Sequence, residues 1–390
     1  MKILIVNTLY YPHKIGGAEI SVQSIAEGLQ KKGIEVAVLT LGERNEDLVS
    51  NNVPIYRLTL ENTFWPFDQI ERSKIDKLKW HISDVYNSKY NKRIHEIINV
   101  FNPTIIHTNN LTGFSVAIWD VAKERGIKVV HTLRDYYLQC PKTNKFKKGS
   151  ACSTQCLECK LLSKKKKNVS QKIDIVTGIS NSILQSHIDQ GYFKNALKKV
   201  VYNGFNIEKK SFKRTNFDEN SFLNFGFIGQ INQSKGIEVL MKSLVEFSNY
   251  NNWKLYVAGR IEPYYQEYLL SFFPKDRVEF LGYIDQDVFF KKINVLIVPS
   301  IWEEPFGRVV VEGLLRKVVV LGSKRGGIKE ILEGNEEFLF NPLSEEPRKL
   351  LELIIINPKK LNLFNFDINL IERFSLENVI KHYHNFYKIK

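Results

Sequence analysis

A chain of 390 residues, 43% hydrophobic and 25% charged, exceeds the size at which one core keeps growing, so two domains of ordinary size are expected. Its longest apolar runs are broken by charge well before the roughly 18 residues of a membrane span, and the apolar start Lys2–Val6 meets Asn7 at once, so neither a transmembrane helix nor a signal peptide is expected and the cytoplasm is. A net charge of +14 calls for an acidic partner, whether anionic lipid, nucleic acid or a phosphorylated substrate; no RNA-recognition aromatic signature or zinc-finger histidine pairing accompanies the lysines, which disfavours nucleic acid.

Residues 2–7, KILIVN, read as a first buried strand. The loop TLYYPHKIGGAE follows, and from Glu19 a pattern of period 3.6 predicts a helix ending at Gly33. Gly16-Gly17 stand just before it, where glycine permits positive φ and close backbone approach to a ligand; a plain turn is the equal alternative. Strands follow at 34–40 and 53–58. The stretch from Asn62 to Tyr90 mixes Phe64, Trp65, Phe67, Trp80 and Tyr86 with lysines. That composition can seat a domain on a membrane interface or on a lipid-linked substrate, and it serves ordinary helix packing at least as often. A helix at 91–100 stops before Pro103. The strand TIIHTNN, a helix at 114–125 and the strand IKVVHTL come next, the last running into Arg134-Asp135-Tyr136-Tyr137. His131, Arg134 and Asp135 are candidates for substrate contact, although His131, inside the strand, reads first as a satisfied core histidine.

All four cysteines, Cys140, Cys152, Cys156 and Cys159, follow within twenty residues, at intervals of eleven, three and two. In a reducing compartment disulfides do not persist, and four thiolates complete a tetrahedral zinc shell. A structural zinc is therefore expected, with free thiols as the main alternative and disulfides or an iron–sulfur cluster behind them. The basic runs Lys142–Lys148 and Lys164–Lys167 flank this cluster and read first as solvated faces.

The strand DIVTGIS, the helix Asn181–Gln190 and the strand KVVYN with Gly204 close the first half, and the polar, aperiodic residues 206–221 read as a linker. A second alternation opens with the strand LNFGFIGQ, the loop INQSKG and the helix GIEVLMKSLVEF. Lys235 stands at that helix's start, where the dipole prefers acids; a bound phosphate would resolve the conflict. After the strands WKLYVAG and VEFLGYI and a helix at 285–292, the run INVLIVPS has the continuous apolar character of a parallel strand buried on both faces. Glu304, Pro305-Phe306-Gly307 and a helical segment through Glu312 come next. If that segment is helical throughout, the eight-residue spacing turns the chain a little over two turns and sets both carboxylates on one side. They would then lie at the mouth where open parallel sheets bind ligands and where a helix N-terminus offers N–H groups to an anion. Taken singly, each reads as a solvated helix charge. The strand KVVVLG, the pair Gly326-Gly327, a helix at 345–356 and an amphipathic helix from about Leu370 to Tyr387 complete the chain. The pattern predicts two doubly wound α/β domains facing each other, 1–204 and 205–370, with the 371–390 helix packing back on the first.

These segments resemble glycosyltransferase family 4, the retaining nucleotide-sugar enzymes of the GT-B fold. The resemblance covers nearly the whole chain and is carried by GGAE at Gly16–Glu19, by HTLRDYYLQCP, by GIS and KVVYNGF, by FIGQINQSKG, and above all by PSIWEEPFGRVVVEG followed by SKRGGIKEIL. It implies two Rossmann-like domains with a donor cleft between them. Glu312 would hold the ribose hydroxyls of the nucleotide. Glu304 would lie near the donor sugar, with the backbone of Phe306, Gly307 and Arg308 close by and Gly327 on the same wall. Lys235 would meet the donor diphosphate, and Gly16-Gly17 would reach toward diphosphate and acceptor. Many members have Arg where Gln230 stands, which leaves more to Lys235 or Arg260. Many also have His where Arg134 stands, and arginine cannot act as a general base.

The implied activity is transfer, with retention, of a sugar from a nucleotide diphosphate, a UDP-sugar favoured, to a hydroxyl of a glycan or lipid-linked glycan in cell-surface polysaccharide biosynthesis. No catalytic metal is expected, because lysine and helix N-termini neutralise the leaving group. The basic charge and the aromatic stretch add an expectation of peripheral contact with the inner face of the plasma membrane. The alternatives are a nucleotide-sugar epimerase on the same fold, which would lack the Glu304/Glu312 and GGAE set, and a catalytically silent subunit that binds sugar nucleotide or lipid, which a donor-turnover panel separates.

Overall fold

The computed structural model describes residues 1–13, 16–68, 70–207, 212–367 and 371–389, which form two units. In the first, strands β1 (Lys2–Val6), β2 (Glu35–Gly42), β3 (Glu46–Ser50), β4 (Val53–Thr59), β5 (Ile105–Thr108) and β6 (Lys128–Leu133) alternate with helices α1 (Gly17–Lys31), α2 (Lys74–Val85), α3 (Asn91–Phe101) and α4 (Ala117–Glu124). A short hairpin, β7 (Phe146–Lys147) and β8 (Ser150–Ala151), belongs with the second unit. Helix α5 (Leu157–Val169), β9 (Ile175–Gly178), α6 (Asn181–Asp189) and β10 (Leu197–Val200) return to the first. The sheet order is β10-β9-β6-β5-β1-β2-β4-β3, parallel except for the antiparallel edge strand β3. The chain runs outward from β1 through β2 and β4, then restarts at β5 on the other side, which puts a topological switch point between β1 and β5.

The second unit holds β11 (Leu223–Ile228), α7 (Ile237–Val245), β12 (Trp253–Ala258), α8 (Pro263–Leu270), β13 (Val278–Gly282), α9 (Gln286–Lys292), β14 (Val295–Val298), α10 (Arg308–Leu315), β15 (Val319–Ser323), α11 (Ile328–Ile331), β16 (Leu339–Phe340) and α12 (Glu346–Ile356). Its sheet, β13-β12-β11-β14-β15-β16, is wholly parallel, and its switch point lies between β11 and β14. The central strands are apolar runs because both faces are covered; β14 is buried along its whole length.

Helix α13 (Leu376–Lys388) belongs to the first unit. It buries Val379, Ile380, Tyr383 and Tyr387 in one cluster with Val22, Ile25, Ala26 and Leu29 of α1 and the strands beneath. Gly28 makes this possible, since a Cβ there would stand 2.0 Å from Ile380 Cδ1. Polar ties reinforce the seat: His107 bonds Tyr387 Oη and Thr132 Oγ1, each at 2.7 Å, and Thr132 reaches Tyr383 Oη at 3.0 Å.

Three elements differ from the sequence expectation. Strand β3 is charged and leaves no residue buried, so it carries no apolar signal. Helix α2 buries only Trp80 and Asp84, and α8 only Leu269, so neither turns a full apolar stripe toward the core. The predicted linker includes residues 208–211, and the predicted tail helix begins at 370; both of those points lie outside the described residues.

Candidate functional site

At the switch point of the second unit, the loops after β11 and β14 are fastened to each other. Ile301 N–H donates to the Ser234 carbonyl at 2.9 Å, and Gly236, with φ +78, lies so close that a Cβ would stand 1.8 Å from the Pro299 carbonyl oxygen. This contact brings Lys235 to Glu304. The Lys235 ammonium donates to both carboxylate oxygens, at 2.8 and 3.1 Å, and lies 4.9 Å from the centre of the Trp302 ring. Trp302 Nε1 and Ser300 Oγ also donate to Glu304 Oε2, at 2.9 and 3.2 Å. Lysine, indole and hydroxyl thus converge on one carboxylate, and its negative charge answers the misplaced cation that the sequence reading left to a phosphate.

The expected placement of both glutamates on one helical side needs correction. Gly307 takes φ +97 and caps α10, which begins only at Arg308; Glu304 therefore lies in the preceding loop, where helical periodicity does not apply. Glu312 is in the second turn of α10, buried, with Gln286 Nε2 donating to it at 3.2 Å and Arg308 Nε 3.6 Å away. Burial lowers the Arg308 guanidinium from its ordinary value, and Glu312 opposes that.

Gly326-Gly327 hold the Glu304 loop from below. Gly327 N–H donates to the Glu304 carbonyl at 2.8 Å, Gly326 N–H donates to Glu303 Oε2 at 2.9 Å, and Arg325 pairs with Glu303 at 3.1 Å. A Cβ on Gly327 would stand 2.5 Å from the Phe306 carbonyl oxygen, so the pair serves close backbone packing in this structure. Phe306 is buried, while Gln230 and Arg260 are exposed at the carboxyl ends of β11 and β12. The Arg260 guanidinium lies 5.7 Å from the Tyr283 ring centre.

In the first unit, Gly16 caps α1 in extended geometry and Gly17 opens it; Gly16 N–H donates to Glu19 Oε2 at 2.8 Å. Arg134 is buried at the end of β6, its Nε donating to Asn109 Oδ1 at 2.8 Å and its Nη1 to Asn203 Oδ1 at 2.7 Å. It ties together three segments leaving the sheet's carboxyl edge, an arrangement that positions loops. Asp135 accepts from Tyr137 N–H at 2.8 Å, and burial pushes its carboxyl up to about 6 against that bond. His131 sits in the core, 3% exposed, bonded through Nδ1 to Thr108 and stacked on Phe193 with Trp119 edge-on. Burial drives its imidazole well below the ordinary value, so it stays neutral.

The expected zinc shell finds no support among the described residues. Cys140, Cys156 and Cys159 are in the first unit and Cys152 in the second; none of the four is in a disulfide, and among the described residues no group of three or more histidine, cysteine or acidic side chains is disposed to hold a metal. Burial pushes the Cys159 thiol far up, and Cys140 and Cys156 beside it add to the shift. Zinc is accordingly unsupported.

Sequence reasoning missed Trp302 and Ser300, which stand in the same PSIWEE segment as Glu304 and carry the pairing signal in plain view. It also missed Lys166, hidden in a run of four lysines. That side chain is buried, 3.4 Å from the Tyr137 ring centre and 3.9 Å from the buried Asp84 carboxylate.

Comparison with known proteins bears directly on this geometry. Residues 15–209 match the model for Glycosyltransferase Family 4, and residues 207–365 match that for Glycosyl transferases group 1. An uncharacterized 42.6 kDa protein in the cps region of Klebsiella pneumoniae is 39% identical over 333 residues, 85% of this chain and 87% of that protein. An uncharacterized glycosyltransferase of Methanocaldococcus jannaschii is 26% identical across 100% of this chain and 98% of its own. Among solved structures, Anabaena HepE in complex with UDP superposes with a TM-score of 0.71 at 18% identity, covering 99% of each chain. The lipopolysaccharide outer core galactosyltransferase WaaB superposes with a TM-score of 0.64 at 14% identity over 100% of each.

Proposed function

Because the chain belongs to glycosyltransferase family 4 and has the GT-B fold, we propose that it transfers a sugar, with retention, from a nucleotide diphosphate sugar to a hydroxyl of a glycan or lipid-linked glycan. One observation carries this reading: the Lys235–Glu304 pair stands at the switch point of the second unit, with Trp302 beside it and the N-terminus of α10 next in the chain. Lys235 can exchange its carboxylate for a diphosphate, releasing Glu304 toward the sugar. The lysine and the N-terminus of α10 then supply the positive potential that a departing diphosphate needs. Glu312, held by Gln286, is assigned to the ribose hydroxyls.

In the first unit, Asp135, with its raised carboxyl, is assigned to the acceptor hydroxyl, and Arg134 to fixing the loops around it. Retention through front-face attack needs no enzymic nucleophile; positioning and leaving-group stabilisation suffice. A UDP-sugar is favoured, in keeping with the HepE structures containing UDP and UDP-glucose. A role in polysaccharide biosynthesis accords with the relative from a cps region. Contact with an anionic membrane completes the proposal; among the described residues no helix is long and apolar enough to cross one. A thermal-shift screen across UDP-, GDP- and ADP-sugars tests the donor, since a ligand held only by the folded state raises its melting temperature. Stabilisation by one nucleotide class followed by turnover of its sugars is expected; no stabilisation by any of the three refutes the proposal.

A further inference from the structure

Helix α2 is anchored at one end only. Trp80 is buried and donates through Nε1 to the Phe64 carbonyl at 2.9 Å, and Asp84 is buried with Gly113 N–H on its carboxylate at 2.7 Å. Every residue from Lys74 to Lys79 is exposed. Along this free end Ile75, Leu78 and Ile82 remain 66%, 46% and 57% exposed, and their spacing of three and four residues places them in one stripe. Lys74, Lys77 and Lys79 are exposed around it. Of the acids nearby, Asp76 is engaged with the Ser73 cap at 2.7 Å, and Glu71 is exposed just before the helix.

Helix α5 packs beside α2, with His81 of one and Leu162 and Lys166 of the other lining a common small cavity. It repeats the combination: Leu157 and Leu161 are 73% and 67% exposed, and Lys160, Lys164 and Lys165 are exposed among them, outnumbering the one exposed acid there, Glu158. Two neighbouring helices therefore each present bare aliphatic side chains among cations.

We propose that the exposed face of α2, with α5 beside it, docks this protein on an anionic membrane surface, its aliphatic stripe entering the boundary of headgroups and acyl chains while the lysines meet lipid phosphates. An amphipathic helix rich in lysine on its polar side lies in the interface plane in this manner, and each lysine near an anionic leaflet adds to the attraction. A second copy of this chain is a poorer occupant, because a symmetric contact would set these lysines against each other. Of the aromatic residues expected to serve this role, Trp80 and Tyr90 are buried, Tyr86 Oη donates to Asp120 at 2.7 Å, and Phe64, Trp65 and Phe67 are half-buried. The docking face is aliphatic, and it gives the membrane contact proposed above a definite address without depending on catalysis.

The test is sedimentation of the full chain with phosphatidylcholine vesicles, with and without phosphatidylglycerol, read beside sedimentation velocity without lipid. The parent should bind only the anionic vesicles and lose binding as salt rises. Combined Lys74→Gln, Lys77→Gln and Lys79→Gln should weaken binding roughly a hundredfold, from a factor of about five per lysine. Combined Ile75→Ser, Leu78→Ser and Ile82→Ser should abolish stable attachment. Both variants should keep the parent melting temperature and the parent thermal shift with nucleotide, which separates this proposal from the donor reading. It is overturned if the parent ignores anionic vesicles, if neither variant changes binding, or if the parent instead forms a dimer that the serine variant dissolves.

Discussion

Replacing Gly326 by alanine should both destabilise the second unit and disable its site, for reasons that can be separated. Gly326 has φ +56, and an L-residue in that region costs about 1–2 kcal/mol. In addition, its Cβ would stand 2.0 Å from the Glu304 carbonyl oxygen and 2.7 Å from the Glu304 nitrogen, where contacts below 3.0 Å are essentially never seen. The Glu304 backbone must withdraw by about 1 Å (3.0 less 2.0), breaking the 2.8 Å bond from Gly327 N–H, worth about 1 kcal/mol. The sum is about 2–3 kcal/mol, or roughly 4–12 °C in melting temperature for a unit of this size. Since Glu304 carries the Lys235 pairing, a shift of that size should also cost about a hundredfold in sugar transfer. Gly282→Ala is the control: φ is +65 there, but no atom lies within 4 Å of the new Cβ, so only the conformational cost of about 1–2 kcal/mol applies. Differential scanning fluorimetry and donor turnover on both variants give the comparison. Equal melting shifts and equal turnover in the two would refute the reasoning, because the clash would then be doing nothing.

Two further predictions concern the first unit. Burial pushes Asp84 up to about 6 and pulls Lys166 down to about 8, each opposed by the other. The raised carboxyl contributes stability below its ordinary value that is lost as pH rises through about 6, and the lowered ammonium contributes stability at high pH that is lost as pH falls through about 8. Between those values both are charged and depend on each other. Lys166→Met should therefore cost roughly 3–5 kcal/mol near neutrality, and less near pH ~5, where Asp84 is protonated; a cost that stays constant in denaturant titrations across that range contradicts the pairing. Tyr387→Phe leaves buried His107 without its 2.7 Å partner and should cost about 1–3 kcal/mol. Hydrogen exchange in α13 should accelerate accordingly, and unaltered protection there would show that apolar packing alone seats the helix.

Much of the fold was legible because its central strands are buried on both faces and so read as apolar runs: KILIVN, IKVVHTL and INVLIVPS each mark a strand of the structure. Edge strand β3 was not, since an exposed strand has no apolar pattern to show. In the candidate site, Lys235 and Glu304 stood out as residue types, yet their direct pairing is a long-range fact, 69 residues apart in sequence, fixed by the β11–β14 adjacency. The helical reading of Glu304 failed because Gly307 in the left-handed region restarts the helix, and an isolated glycine does not announce its φ. The burial of Lys166 was illegible for a similar reason: nothing within KKKK says which lysine faces inward until α5 is docked on α2.

The central claim, that Lys235 exchanges Glu304 for a donor diphosphate, is tested most directly by calorimetric titration of UDP into the parent, Lys235→Met and Glu304→Gln. Loss of a charged hydrogen bond worth about 1.5–3 kcal/mol predicts roughly 10- to 150-fold weaker UDP binding by Lys235→Met. Glu304→Gln should bind UDP at least as tightly as the parent, because the lysine no longer has to be taken from a carboxylate, while its donor turnover falls. Parent-like UDP affinity in Lys235→Met would contradict the account.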